Sequence, residues 1–80
     1  MPYINQATRD VIQPPADVVG AGQLNYAFTK QALRYLYLEG ESYQTYNDII
    51  GALESCKLEF YRRAVAPYED KKIQENGDVY

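Results

Sequence analysis

The sequence predicts an all-α protein, built as an antiparallel helical hairpin with a short helix after it and assembled as a homo-oligomer. Three observations carry that expectation. Two long segments, 23–39 and 42–66, repeat apolar residues at three- and four-residue steps. A glycine, Gly40, stands between them. The chain has 80 residues, one cysteine and no histidine, so neither an intrachain disulfide nor a zinc site can reinforce its small core. A core of this size seldom supplies more than about 3–5 kcal/mol. Self-association is the remaining supplement.

Taken in order, residues 1–12 are mixed, with Asn5 or Thr8 placed to cap a short helical turn carrying Val11 and Ile12. Pro14 and Pro15 stop anything helical. Residues 13–22 then read as a connector, and Gly20-Ala-Gly22 as a flexible lead rather than a nucleotide fingerprint, which needs a strand before it. The domain division is therefore 1–22, an N-terminal segment and connector, and 23–80, a helical domain. The first long helix runs from Gln23 to Glu39, with Leu24, Ala27, Phe28, Ala32, Tyr35 and Leu36 on its core face. Tyr26, Leu33 and Tyr37, with Lys30 among them, make a second stripe, and two stripes imply burial on two sides. Gly40 takes the C′ position, where a left-handed backbone suits glycine.

The second helix starts at Ser42 or Thr45 and continues to about Ala66. Its core stripe is Tyr46, Ile49, Ile50, Leu53, Cys56, Phe60 and Ala64, so Cys56 reads as a small buried hydrophobe. Gly51-Ala52 marks a close helix crossing, since an interior glycine otherwise costs about 1 kcal/mol. Pro67 ends or kinks this helix. A third helix, Pro67 to Glu75, opens with Glu69 and Asp70, follows with Lys71 and Lys72, and stops at Asn76-Gly77. That charge order suits the helix dipole. Ile73 is its apolar anchor. The acidic tail would fold back onto Arg62-Arg63 or reach a neighbour.

The formal charge of −3 excludes generic nucleic-acid or anionic-membrane binding. No stretch is long and apolar enough to span a membrane, and no signal-peptide core is present. One free thiol makes the cytoplasm the expected compartment. Nucleophilic catalysis lacks its base without histidine. An all-α, Mg²⁺-dependent nucleotide pyrophosphohydrolase would need paired carboxylates one helical turn apart. Asp48, Glu54 and Glu59 are the carboxylates on which such an enzyme would rest, but Asp48 and Glu59 lie about 16 Å apart along a helix. No catalytic residue, metal ligand or cofactor is expected.

The remaining chemistry lies in tyrosines and cations. Lys30 and Arg34 are an i, i+4 pair beside Tyr26, and Tyr61, Arg62 and Arg63 are consecutive. Arginine grips phosphate or carboxylate through its fork, and tyrosine offers a ring to stack on. These six residues are the expected contacts for an anionic, nucleotide-like ligand. The competing readings are an ordinary solvated face or a protein interface, where tyrosine and arginine are also favoured. Arg62 and Arg63 diverge by about 100°, so one would pair with Glu59 or the tail while the other meets a ligand.

The runs GQLNYAFTKQALRYL and SYQTYNDIIGALESCKLEFYRRAVAPYEDKKIQENGDVY resemble a family of short proteins from bacteriophages and prophage-bearing bacteria. Likeness covers about residues 21–80 and is most specific at Leu24, Asn25, Tyr26 and Thr29, in NDIIGAL, and in the EFYRR to ENGDVY tail. Before it, only the opening MPYI matches. The resemblance brings no activity and no site residues with it. It implies a phage context in a bacterial host, and there a small non-catalytic protein would counter host defence by sequestering a nucleotide-like signal. The alternatives are docking on a host protein as an inhibitor, or an accessory role in phage replication or assembly.

Overall fold

The computed structural model describes residues 3–12 and 15–80; Gln13 and Pro14, half of the expected double-proline stop, lie outside them. The architecture is all-α. Helix α1 spans Gln6–Val11, α2 Gly20–Glu39, α3 Tyr43–Phe60 and α4 Ala66–Asn76, with a π-helical turn at Tyr61–Val65 between α3 and α4.

Asn5, not Thr8, caps α1: its Oδ1 accepts the Thr8 amide at 2.8 Å, satisfying one of the orphan donors at a helix start. Helix α2 begins three residues earlier than the apolar pattern suggests, at Gly20. Gln23 Oε1 reaches back to accept the Val19 amide at 2.8 Å, which fixes that first turn. Inside α2, Thr29 is accommodated by donating its hydroxyl to the Asn25 carbonyl at 3.0 Å.

Gly40 closes α2 with φ +85°, its N–H bonded to the Leu36 carbonyl at 2.8 Å. Gly77 closes α4 in the same way, with φ +87° and a 2.8 Å bond to Ile73. A β-carbon is strained at such angles, so both stop signals were legible in the residue type. After Gly40 the chain needs a new helix start. Ser42 supplies it: its Oγ accepts the Thr45 amide at 3.0 Å and lies 3.0 Å from the Thr45 hydroxyl. Helices α2 and α3 therefore form the expected antiparallel hairpin, tied again where Tyr35 donates to Asp48 at 2.9 Å.

The expected third helix is present as α4, with Pro67 in its first turn, but no loop separates it from α3: the π turn joins the two. A proline in a regular helix lacks its N–H and drives its ring into the carbonyl four residues back. Here the preceding turn widens, and the Ala66 amide bonds to Tyr61 five residues back, so the chain passes Pro67 without a break. The extra residue in the turn also changes register. Tyr61 and Glu69, eight apart, align as residues seven apart do in a regular helix, and Tyr61 donates to Glu69 at 2.5 Å. Tyr43 to Asn76 is thus one helical rod. Its ideal length of about 51 Å accounts for the molecule's longest dimension, 49 Å.

The tail does not fold back. Its ion pair, Lys72–Glu75 at 3.2 Å, lies within α4, and Ile73 remains 42% exposed. The predicted core is equally uncovered. Among the described residues Thr45 alone is buried. The half-buried side of α3 carries Asp48, Ile49, Ser55 and Glu59. The predicted stripe shares only Ile49 with that side; the rest is turned about 100° from it and keeps Tyr46, Ile50, Leu53 and Phe60 exposed. Cys56 is exposed too, against the expectation of burial. Nothing approaches the position a Gly51 β-carbon would take, so the expected close crossing is not made within one chain. The physical reason is shared: α2 comes near α3 along only part of its length, and among the described residues no other helix covers the far side.

The dimensions agree. A compact 80-residue domain has a radius of gyration of about 12 Å; here it is 16.5 Å. A folded monomer of this mass exposes about 4,900 Å²; here the surface is 7455 Å².

Two glycine substitutions should move stability in opposite directions in urea unfolding. Gly40→Ala forces a β-carbon onto φ +85° and should cost about 1–2 kcal/mol. Gly51→Ala enters open helical surface and should gain about 1 kcal/mol.

Candidate functional site

The expected ligand contacts fall into two groups that one chain does not bring together. Helix α2 carries the first. Tyr26, Lys30, Leu33 and Tyr37 recur on the side of α2 roughly opposite its inner face. Lys30 Nζ lies 5.8 Å from the Tyr26 ring centre and the Arg34 guanidinium 5.7 Å from that of Tyr37. Both distances are within cation–π range. Among the described residues neither cation has a carboxylate partner. The tyrosines present their rings to solvent, at 64% and 78% exposure, so the stripe is a ready platform for a planar anion.

The π turn carries the second group. Arg62 and Arg63 share one carboxylate: Glu59 Oε1 is 2.8 Å from Arg62 Nη2 and 3.6 Å from Arg63 Nη1. The expectation that only one arginine would take Glu59 is corrected here. They stand three and four residues beyond it, and their long side chains converge. Tyr61 has its hydroxyl committed to Glu69, which holds its pKa above the usual phenol range, by the hydrogen bond first and the Glu69 charge second. Its ring stays half exposed. No close backbone approach links α2 to the π turn.

Tyr3 completes this second group, and the sequence held no signal for it. From the far end of the chain it donates its hydroxyl to Glu59. A hollow of about 380 Å³ opens there between Tyr3, Cys56, Glu59, Phe60 and Arg63. The Tyr3 hydrogen bond is the main cause holding Glu59 below the usual carboxylate range; partial desolvation opposes it, and Arg62 and Arg63 add to the lowering. Two guanidiniums against one carboxylate leave the cluster net positive.

A larger groove, about 590 Å³, lies between Phe28, Ala32 and Tyr35 of α2 and Asp48, Gly51, Ala52 and Leu53 of α3. Its size suits a small ligand, but its charged side chain is acidic. Asp48 accepts from Tyr35 and from Gln44, at 2.9 and 2.7 Å. The Tyr35 phenol is consequently raised above its usual range, mainly by that bond; Tyr46 is raised likewise by donating to Glu41. An anion gains nothing in such a groove. The carboxylates of the enzymatic alternative are held apart: Asp48 by these donors, Glu54 by Lys57 at 3.2 Å, Glu59 by Tyr3 and the arginines. Among the described residues no three metal-binding side chains cluster, and no helix is long and apolar enough to cross a membrane.

A family model described as a domain of unknown function (DUF6899) matches residues 1–79, so the likeness takes in the N-terminal segment as well as the helical region. No curated protein and no solved structure matches the chain.

Because the folded-state pKa of Glu59 is depressed, its contribution to stability is present above the unfolded carboxylate pKa and lost as pH falls through the folded value. Tyr3→Phe should raise the Glu59 pKa toward the ordinary range, read by NMR titration of its side-chain carboxyl. An unchanged titration would show that Tyr3 does not hold the carboxylate in solution.

Proposed function

From the premise that the chain belongs to this family, the domain of unknown function (DUF6899), we propose that it is a non-catalytic binding protein that works as a homo-oligomer and captures an anionic, aromatic ligand of nucleotide type. The observation that carries this reading is the outer stripe of α2. There two cations, Lys30 and Arg34, rest on tyrosine rings with no carboxylate among the described residues to neutralise them. In a chain of net charge −3, such a stripe welcomes phosphate while the rings supply faces for a base. Arg62 and Arg63, sharing a single Glu59, form a second cationic patch, and assembly of several copies is the means by which the two patches would meet. The excess of surface over that of a compact monomer supports the assembly.

Sequestration of a nucleotide-like signal in a phage-infected bacterial cytoplasm is the setting we propose. It rests on the resemblance of the LNY, NDIIGAL and EFYRR segments to phage and prophage proteins. An inhibitor docking on a host protein is the second reading, favoured by the large apolar exposure, which a partner protein would also cover.

A thermal-shift screen of mono-, di- and cyclic nucleotides separates the two. At a hundredfold excess over Kd, a ligand that binds only the folded state adds about 2.7 kcal/mol, which in a domain this small raises Tm by on the order of 10 °C. Lys30→Ala and Arg34→Ala should each abolish most of that rise without changing the Tm of the free protein. No shift with any nucleotide, together with co-purification of a host protein, would replace capture by docking.

A further inference from the structure

The exposed side of α3 has a regular order. Tyr46, Ile50, Leu53, Lys57 and Phe60 follow one another at steps of four, three, four and three. That is the heptad spacing by which helices pair through a single seam. All four apolar members are exposed, from 42% at Tyr46 to 67% at Ile50, with Leu53 also bordering the α2 groove and Phe60 the hollow beside Tyr3. The seam ends at Phe60, where the π turn begins.

We propose that this seam is the contact between two copies of the chain, packed α3 against α3 in antiparallel sense about a two-fold axis near Ser55. The inference rests on the self-association part of the proposed function and names the surface that performs it. Area fits a second copy as occupant. The chain exposes about 2,500 Å² more than a folded monomer of its mass, and an obligate homodimer buries that order of surface. A two-fold axis covers the same stripe on both chains at once.

Charge decides the sense. In a parallel pair, Lys57 would face Lys57 inside the seam, and like charges at that separation repel. In the antiparallel pair, the Lys57 stem packs on Leu53 of the second copy. Its ammonium then reaches Glu54 of that copy, the same residue type pairing it now draws on within its own helix at 3.2 Å. Ile50 meets Phe60 on either side, a smaller side chain against a larger one.

Two measurements on the full chain test this. Nitroxide labels on the native Cys56 should lie close across the axis, separated chiefly by one helix spacing of about 8–10 Å and the label arms. Labels on Gln44→Cys, in a Cys56→Ser background, should be about 33 Å apart along the axis. Equal distances at the two sites mean a parallel pair and overturn the assignment. The second measurement is mass by light scattering. Ile50→Asp should convert the assembly to monomer, whereas Leu58→Asp, an equally drastic change off the seam, should leave it intact. Loss in both variants, or in neither, also overturns the seam. A native chain that is monomeric at all concentrations removes both the seam and the self-association it rests on; nucleotide capture is read separately by the thermal shift.

Discussion

Ser42 Oγ accepts the Thr45 amide at 3.0 Å, and the relation between the two long helices hangs on that short contact. Gly40 releases the chain from α2, but a released chain points nowhere in particular. The cap at Ser42 starts α3 at a fixed angle and buries Thr45, the single described residue removed from solvent. Tyr35 and Asp48 then hold the hairpin a few residues further on. Beyond this corner the helices are sustained by their own backbone hydrogen bonds and by local pairs such as Arg62–Glu59. In proteins most helical stability comes from packing of an amphipathic face. A chain whose interior is one capped corner draws little of that packing from itself.

This division explains which features were legible in the sequence. Helix stops depend on one residue and its neighbours, so Gly40 and Gly77 announced themselves, as did Asn5 and Ser42 as caps. The apolar stripe of α3 was equally visible, yet periodicity says that a face is covered and never by what. Assigning it to the hairpin's own core was an inference from compactness, and the chain is not compact. Pro67 marked the opening of the last helix, but the wide turn that joins it to α3 was not legible. The rule that proline ends a helix assumes a regular turn before it, whereas Tyr61–Val65 widens and removes the clash. Tyr3 could not be placed at all, because a contact across 56 residues leaves no local trace.

For the candidate site, residue type was informative and assembly was not. Lys30 and Arg34 do sit over tyrosine rings, as an i, i+4 pattern on one helix allows. Arg62 and Arg63 do present a cationic patch, though they share Glu59 rather than dividing the work. What no spacing could reveal is that the two patches belong to different regions of an elongated molecule. One chain by itself does not bring them together.

The widened turn before Pro67 has a further consequence for the rod. One surplus residue there shifts the angular phase of everything downstream by about 100°. Side chains of α4 therefore look out along a direction that α3 does not share, even though the two form one rod. A straight, in-phase rod would present a single continuous strip along its length. A rod with a built-in phase step offers two strips at an angle, one to each side of the step. The turn before Pro67 thus sets which directions the two ends of the chain present to solvent.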